Sequence, residues 1–170
     1  MVKIGLLSDT HSWLEPSIFK HFAACDEIWH AGDIGDLATL DQLENFKPLR
    51  TVYGNIDGPE LRARAPLNNI FTLAGLKVVM THIGGYPGRY VPRVRKLLDQ
   101  ERPGLYICGH SHILKVMPDP KRQLLHMNPG ACGKHGFHRM KTMLRFDIQA
   151  KKVANLEVIE LGLRGALKKT

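Results

Sequence analysis

Apolar and polar positions along the chain alternate between short hydrophobic runs and abrupt polar endings. "VKIGLLS", "EIWHAGD", "LRTVYGN", "KVVMTH" and "LYICGH" are each apolar over a strand length and then reach Ser, Asp, Asn or His. Between the first three lie "PSIFKHFAAC" and "LATLDQLENF", which suit helices, with Pro16 near the start of the first and Asp36 placed to cap the second. The order βαβαβ predicts a parallel sheet joined by right-handed crossovers. "NIFTLAGLKVVMTH" reads as a hairpin about Ala74-Gly75, and "PRVRKLLDQE" as a third helix ahead of "LYICGH". The rest reads as two hairpins, one turning at Pro118 to Pro120 and one near Ala150 to Lys152. The chain therefore opens α/β and closes β-rich. Two sheets packed together, with helices outside, would bury both sets of strands.

Composition narrows the class. With 170 residues, 44% hydrophobic and 24% charged, the chain suits one globular domain over residues 1–170. No apolar run approaches a bilayer span, and "MVKIGLLSDTHS" turns polar too soon for a signal peptide, so a soluble, cytoplasmic protein with no membrane partner is expected. Cys25, Cys108 and Cys132 are odd in number and widely spaced, which predicts reduced thiols rather than a disulfide framework or a zinc knuckle. A net charge of +8 would draw anions, but Lys and Arg are spread out, with one short cluster in the closing "LRGALKKT". A solvated surface accounts for that better than a nucleic-acid stripe.

The polar strand endings hold the chemistry. Asp9 and His11 are two apart and would share a face in an extended backbone. Asp33 follows Gly32, Asn55 follows Gly54, His82 closes "KVVMTH", and His110 and His112 are again two apart. Each alone is ordinary turn chemistry. Together, at five successive strand ends, they would converge on one rim as a mixed nitrogen and oxygen set of the kind borderline divalent transition metals take. Seven ligands exceed one tetrahedral ion. Two ions sharing a carboxylate, ~3.5–4 Å apart, could clamp an in-line displacement at phosphorus, and the two alternating histidines would then serve one ion each.

The motifs D-x-H, GD-xx-D, GN-x-D, T-H and G-H-S-H, in this order, resemble those of the calcineurin-like metallophosphoesterase superfamily. The short length is similar to its small YfcE-type phosphodiesterase branch, which also includes the retromer scaffold Vps29; the likeness runs from about Val2 to Gly130, including "NPG" at Asn128 to Gly130. The resemblance implies a four-layer αββα sandwich of two mixed β-sheets. It implies Asp9, His11 and His112 on one ion, Asn55, His82 and His110 on the other, and Asp33 bridging. It further implies hydrolysis of a small phosphoester, a nucleotide among the options, by a hydroxide bridging two divalent ions, Mn first and Ni, Fe, Co or Zn as alternatives. His30 and Asp57 resemble residues that orient such ligands, although His30 reads equally as a plain buried histidine. The small branch often forms homodimers or homotetramers.

Two departures stand out. Larger relatives carry His in the G-N-H motif, where it helps the leaving group depart; this chain has Ile56, which transfers no proton. The loop "THIGGYPGRY" also differs from the branch's usual T-H-G, and it offers Arg89, Tyr86 and Tyr90 as candidates for substrate contact. "GKHGFH" adds His135 and His138, either of which could reach a leaving group. Two other readings stay open: an interaction scaffold like Vps29 with a vestigial site, and a nuclease-type phosphodiesterase acting on nucleic acid, for which no basic stripe is evident.

Overall fold

A computed structural model describes residues 1–165, so the end of "LRGALKKT" lies outside the described residues. In chain order the elements are β1 (Val2–Leu7), α1 (Ser17–His21), β2 (Glu27–His30), α2 (Leu37–Phe46), β3 (Leu49–Thr51), α3 (Pro59–Arg62), β4 (Asn68–Leu73), β5 (Leu76–Thr81), α4 (Pro92–Glu101), β6 (Leu105–Ile107), β7 (Leu114–Asp119), β8 (Leu124–Pro129), β9 (Met140–Gln149) and β10 (Lys152–Leu163). They form two five-stranded sheets, ordered β10-β9-β1-β2-β3 and β4-β5-β6-β8-β7. Both are mixed. In the first, β1, β2 and β3 run parallel and β9 joins β1 antiparallel; in the second, β5, β6 and β8 run parallel and β4 and β7 flank them antiparallel.

Period-two alternation sorts each strand between two cores. Ile4 and Leu6 of β1 meet Val78, Met80, Ile107 and Met127 between the sheets, with Trp29 and Phe146 among them. Leu7 and Ile28 face the other way, onto Ile18 and Phe22 near α1 and Leu43 of α2. On the outer side of the second sheet, Val79 and Tyr106 pack on Val94 and Leu98 of α4. This is the helix, sheet, sheet, helix layering expected of the sequence. No helix among the described residues is long and apolar enough to cross a membrane.

The Asp36 cap forms, its carboxylate accepting the Thr39 N–H at 2.8 Å. The two-residue turns at Ala74-Gly75 and Ala150-Lys151 also form, all four residues at positive φ. Two expectations need correction. The hairpin between β7 and β8 turns at residues 120–123, because Asp119 opens the turn by accepting the Arg122 N–H at 3.3 Å, and Pro118 sits inside β7, an edge strand where its missing donor costs no ladder bond. The first helix stops at His21, short of Cys25, as the chain drops to bring Asp26 N–H onto the Lys3 carbonyl at 2.7 Å.

Candidate metal centre

The parallel strands β1, β2, β3, β5, β6 and β8 deliver their carboxyl ends to one rim, and the polar residues named above lie just beyond them. The mode of delivery differs from strand alternation. Asp9, His11, Asp33, His110 and His112 all have left-handed backbones, with φ between 45° and 69°, so none projects from an extended strand. Such conformations are costly for side chains with a Cβ and persist where surroundings over-determine them. Here neighbouring loops are laced together: the N–H groups of Asp9, His11 and Ser12 donate to the carbonyls of Gly32, Asp33 and Ile34 at 2.9–3.0 Å. Glycine permits the closest approaches. A Cβ on Gly54 would collide with Asp33, and one on Gly109 with the Ser8 hydroxyl and the Asp9 carboxylate.

The side chains form two groups. Asp9, His11 and His112 bring one ligand atom each within 4.8 Å of one another, and so do Asp33, His82 and His110. Asp33 Oδ2 stands between them, 3.4 Å from His11 Nε2 and 3.3 Å from His82 Nε2. Asn55 Oδ1 lies 3.1 Å from His82 Nε2 and 3.0 Å from His110 Nδ1. All seven residues named from the sequence are thus brought to one cluster, in the grouping the resemblance implies.

The donor set fits cations. His82 Nδ1 donates to the Ala31 carbonyl at 2.7 Å, so the neutral ring presents a lone pair at Nε2, toward the oxygen lone pairs of Asp33 and Asn55. Asp9 Oδ1 and His11 Nε2 are buried and make no well-aligned hydrogen bond, although His112 Nε2 lies 3.1 Å from the first and Asp33 Oδ2 3.4 Å from the second. Buried groups of this kind ordinarily find partners, and convergent lone pairs repel unless a proton or a metal ion lies among them. The titration behaviour agrees. Burial alone would raise the Asp33 carboxyl, but the His11 and His82 imidazoles beside it and the Ile56 N–H hold it far below the usual range. Asp9 is likewise held low against burial, by His112, His82 and Ser8. Burial opposes the charged form of His82, yet the carboxylates of Asp33 and Asp9 raise it, whereas burial and the neighbouring His82 lower His110.

Asp57 and His30 hold the backbones of the loops that bear the candidate ligands rather than the ligand side chains. Asp57 accepts N–H groups from Gly54, Ile34 and Gly35 at 2.8–3.1 Å, pinning the loop after β3 to the loop after β2. His30, fully buried and driven down to about 4 by desolvation, accepts Gly32 N–H at Nδ1 and meets the Thr10 hydroxyl at Nε2, which in turn donates to the Ile34 carbonyl. Both carry polar groups inward because the loops they bridge bury their own N–H and C=O groups.

The loop after His82 contributes less than its chemistry suggested. Tyr90 is buried and gives its hydroxyl to Asp119 at 3.0 Å, so it is withdrawn from any substrate. Arg89 is exposed and lines none of the cavities that touch the ligand cluster. Tyr86 does line a neighbouring cavity. One contributor escaped the sequence reading. Ser8 donates to Asp9 Oδ2 at 2.6 Å and fixes which oxygen faces the cluster. The loop after β8 brings both histidines named from the sequence to the cluster: His135 lies with its ring 4.8 Å from that of His11, and His138 with its ring 5.1 Å from that of His112. Recognising β8 as a sixth parallel strand would have placed "GKHGFH" on the same rim.

Residues 2–151 match the family described as the calcineurin-like phosphoesterase superfamily domain. The chain belongs to the calcineurin-like phosphoesterase superfamily. The superfamily uses divalent metal ions, in keeping with the two candidate metal-binding groups. A protein of Methanothermobacter thermautotrophicus described as a probable metallophosphoesterase is 28% identical over 135 residues, covering 75% of this chain and 76% of its own. Among solved structures, an archaeal phosphodiesterase is similar at TM-score 0.74 and 23% identity, covering 94% of this chain and 99% of that one. Vps29 of Chaetomium thermophilum is similar at TM-score 0.74 and 17% identity, covering 95% and 97%. These two share the fold, and the superfamily's reaction class comes from the family match.

Proposed function

We propose that this superfamily member is a dinuclear phosphodiesterase, with Asp9, His11 and His112 holding one divalent ion, Asn55, His82 and His110 the other, and Asp33 shared. The observation that carries this reading is the pair of ligand groups meeting at Asp33 Oδ2, with buried lone pairs on Asp9 and His11 left without a well-aligned hydrogen bond. Ions held there, manganese first among the candidates, would acidify a coordinated water toward neutrality and draw charge from the phosphoryl oxygens. Ser8 and the His110 N–H fix the Asp9 carboxylate, and the Ala31 carbonyl fixes the His82 tautomer, so the ligand atoms are aimed before substrate arrives.

The leaving oxygen needs a proton that Ile56 does not supply. His135 is exposed and lines the same cavity as His11 and Asp33, which supports it as the donor of that proton. Space in more than one cavity beside the cluster supports a diester, with an arm on each side of phosphorus, over a monoester. Three unpaired, buried cysteines support a reducing, cytoplasmic setting.

The deciding experiment is metal-reconstituted hydrolysis of bis-p-nitrophenyl phosphate against p-nitrophenyl phosphate, in wild type, His112→Ala and Asn55→Ala. Diester turnover that is lost in both variants is the expected result. A protein inert with Mn, Ni, Co, Fe and Zn alike would sink the enzymatic reading. It would favour the scaffold reading, for which the exposed Ile56, Ile83, Ile113 and Phe137 about the cluster would be the contact surface.

A further inference from the structure

Two cavities share His110, Ser111 and Ile113 in their walls. The larger, about 470 Å³, holds the exposed side of the ligand cluster. The smaller, about 260 Å³, includes no proposed ligand besides His110 and is walled by the glycine-rich loop after His82 on one side and by the β7–β8 ladder on the other. We propose that this smaller cavity seats one ester arm of the substrate, and that the arm is a flat heteroaromatic ring with a hydrogen-bonding edge, of which a nucleobase is the common biological form. The inference rests on the phosphodiesterase reading and names a substrate class for it.

Size and surface select a ring. The volume falls just below the range of pockets that enclose drug-sized molecules, room for one ring system rather than a long chain. Ile83, Val91 and Ile113 give apolar walls, and Gly84, Gly85 and Gly109 present bare backbone between them. A polar sugar would gain little from such walls.

Two polar groups in the lining ask for partners of a particular kind. His126 is only 1% exposed, and its Nδ1 makes no hydrogen bond. Lys115 stands with its ammonium 3.7 Å over the Tyr86 ring and makes no ion pair or side-chain hydrogen bond among the described residues. Lys115, Asn128 and His126 share one face of the ladder, since Lys115 pairs with Asn128, and His126 is two residues from it. Asn128 is already committed to Gly109, Ser111 and Gly130, which makes it a fixed wall. An alkyl arm would cover the imidazole and the ammonium and leave both unpaired, whereas a ring bearing carbonyl oxygens or ring nitrogens could meet both. Cavity, shared wall and unpaired groups thus point to the same ligand chemistry.

The test has one arm that needs no metal. Metal-free, ¹⁵N-labelled protein is titrated with adenosine and with uridine while amide shifts are followed. Shifts centred on Gly84, Gly85, Ser111 and Ile113 with either nucleoside, weakened in Lys115→Met, are expected; their absence with both overturns the proposal. In the second arm, calorimetry on manganese-loaded protein compares nucleoside 5′-monophosphates with ribose 5-phosphate. The better nucleotide should bind about tenfold tighter, and Lys115→Met and His126→Phe should each erase that advantage while ribose 5-phosphate keeps its wild-type affinity. Equal affinities for nucleotide and sugar phosphate in wild type would also overturn it. Nucleoside shifts that persist while no phosphate compound binds the loaded protein would support the ring site and sink the dinuclear reading instead.

Discussion

The rim has two halves, built alike from parallel strand ends and furnished differently. The first sheet supplies both carboxylates, Asp9 and Asp33, buried to within 2% and cross-tied by Asp57, His30 and Thr10. The second supplies His82, His110 and His112, with His110 and Ser111 exposed, Ile83 and Ile113 solvent-facing beside them, and a glycine-rich loop alongside. Fixed negative charge thus resides in one half, while the apolar surface that can contact a substrate arm lies mostly in the other. Charge that must stay buried before a cation arrives demands a rigid frame; surface that must fit an organic group does not.

Breaking the frame should have the largest effect. Asp57→Ala strands three N–H groups of the first half and should cost about 3–5 kcal/mol of stability in urea unfolding. In protein that still folds, metal affinity should fall about 10–100-fold, because the loops bearing Asp33 and Asn55 come apart. Ser111→Ala, in the second half, removes one hydroxyl at the surface and should cost under about 1 kcal/mol. Equal costs in the two variants would dissolve the contrast between the halves.

Proton uptake gives the next largest test, with one buried imidazole in each half. Desolvation drives His30 down to about 4, and desolvation with the nearby Lys115 does the same to His126. The unfolded chain takes up these protons as pH falls through about 6.5, while the folded protein cannot follow until about 4. Stability is therefore full above the first value and lost toward the second, by roughly 3 kcal/mol for each ring. Asp9 and Asp33 have folded values below the ordinary one, so the stability they contribute is present above 3.8 and lost only below it. Urea unfolding of metal-free protein between about pH 7.5 and about pH 4.5 should show the decline, and His30→Gln or His126→Gln should each remove its own part. A midpoint that stays level in wild type would show that neither ring is held neutral by burial.

The halves also differed in how much of them the sequence disclosed. Asp9, His11, Asp33, Asn55, His82, His110 and His112 were legible because strand termini mark sites in α/β folds and because the residue types suit one chemistry. Their backbone geometry was not legible. Left-handed φ at five candidate ligands depends on hydrogen bonds from loops remote in sequence, such as Asp9 N–H to Gly32, and local pattern carries no trace of these. Tyr90 and Tyr86, four apart in one loop, read alike, yet Tyr90 turns inward onto Asp119 and Tyr86 stays at a cavity. Only the tertiary partner distinguishes them. Ser8 was overlooked because a serine beside an aspartate looks like a turn, and its value lies in choosing between two oxygens.

His135 tests the seam between the halves, since it reaches the cluster from the loop after β8. His135→Ala should slow diesters with alkoxide leaving groups about 10²-fold and leave p-nitrophenyl diesters within a few fold, because a good leaving group departs without a proton. Equal losses on both ester classes would assign His135 to holding the loop or the ion, and the proton source would have to be solvent.

Arg89 should show the smallest effect of all, and the reason sharpens the division within the second half. Guanidinium groups suit phosphate, and the chain holds one seven residues from a proposed metal ligand, yet the side chain is exposed and borders none of the cavities at the cluster. The loop does not depend on it for shape, since the turn is closed by backbone, with the Arg89 N–H on the Tyr86 carbonyl at 2.8 Å and the Val91 N–H on Gly84 at 3.1 Å. Arg89→Ala should therefore change stability by less than about 0.5 kcal/mol and kcat/KM by less than about twofold. Tyr86→Ala, three residues earlier and on a cavity wall, should raise KM for aryl diesters more than it lowers kcat. If Arg89→Ala instead lowered kcat/KM about tenfold at unchanged stability, the loop would have to fold over the cleft when substrate binds, and the second half would then supply charge as well as surface.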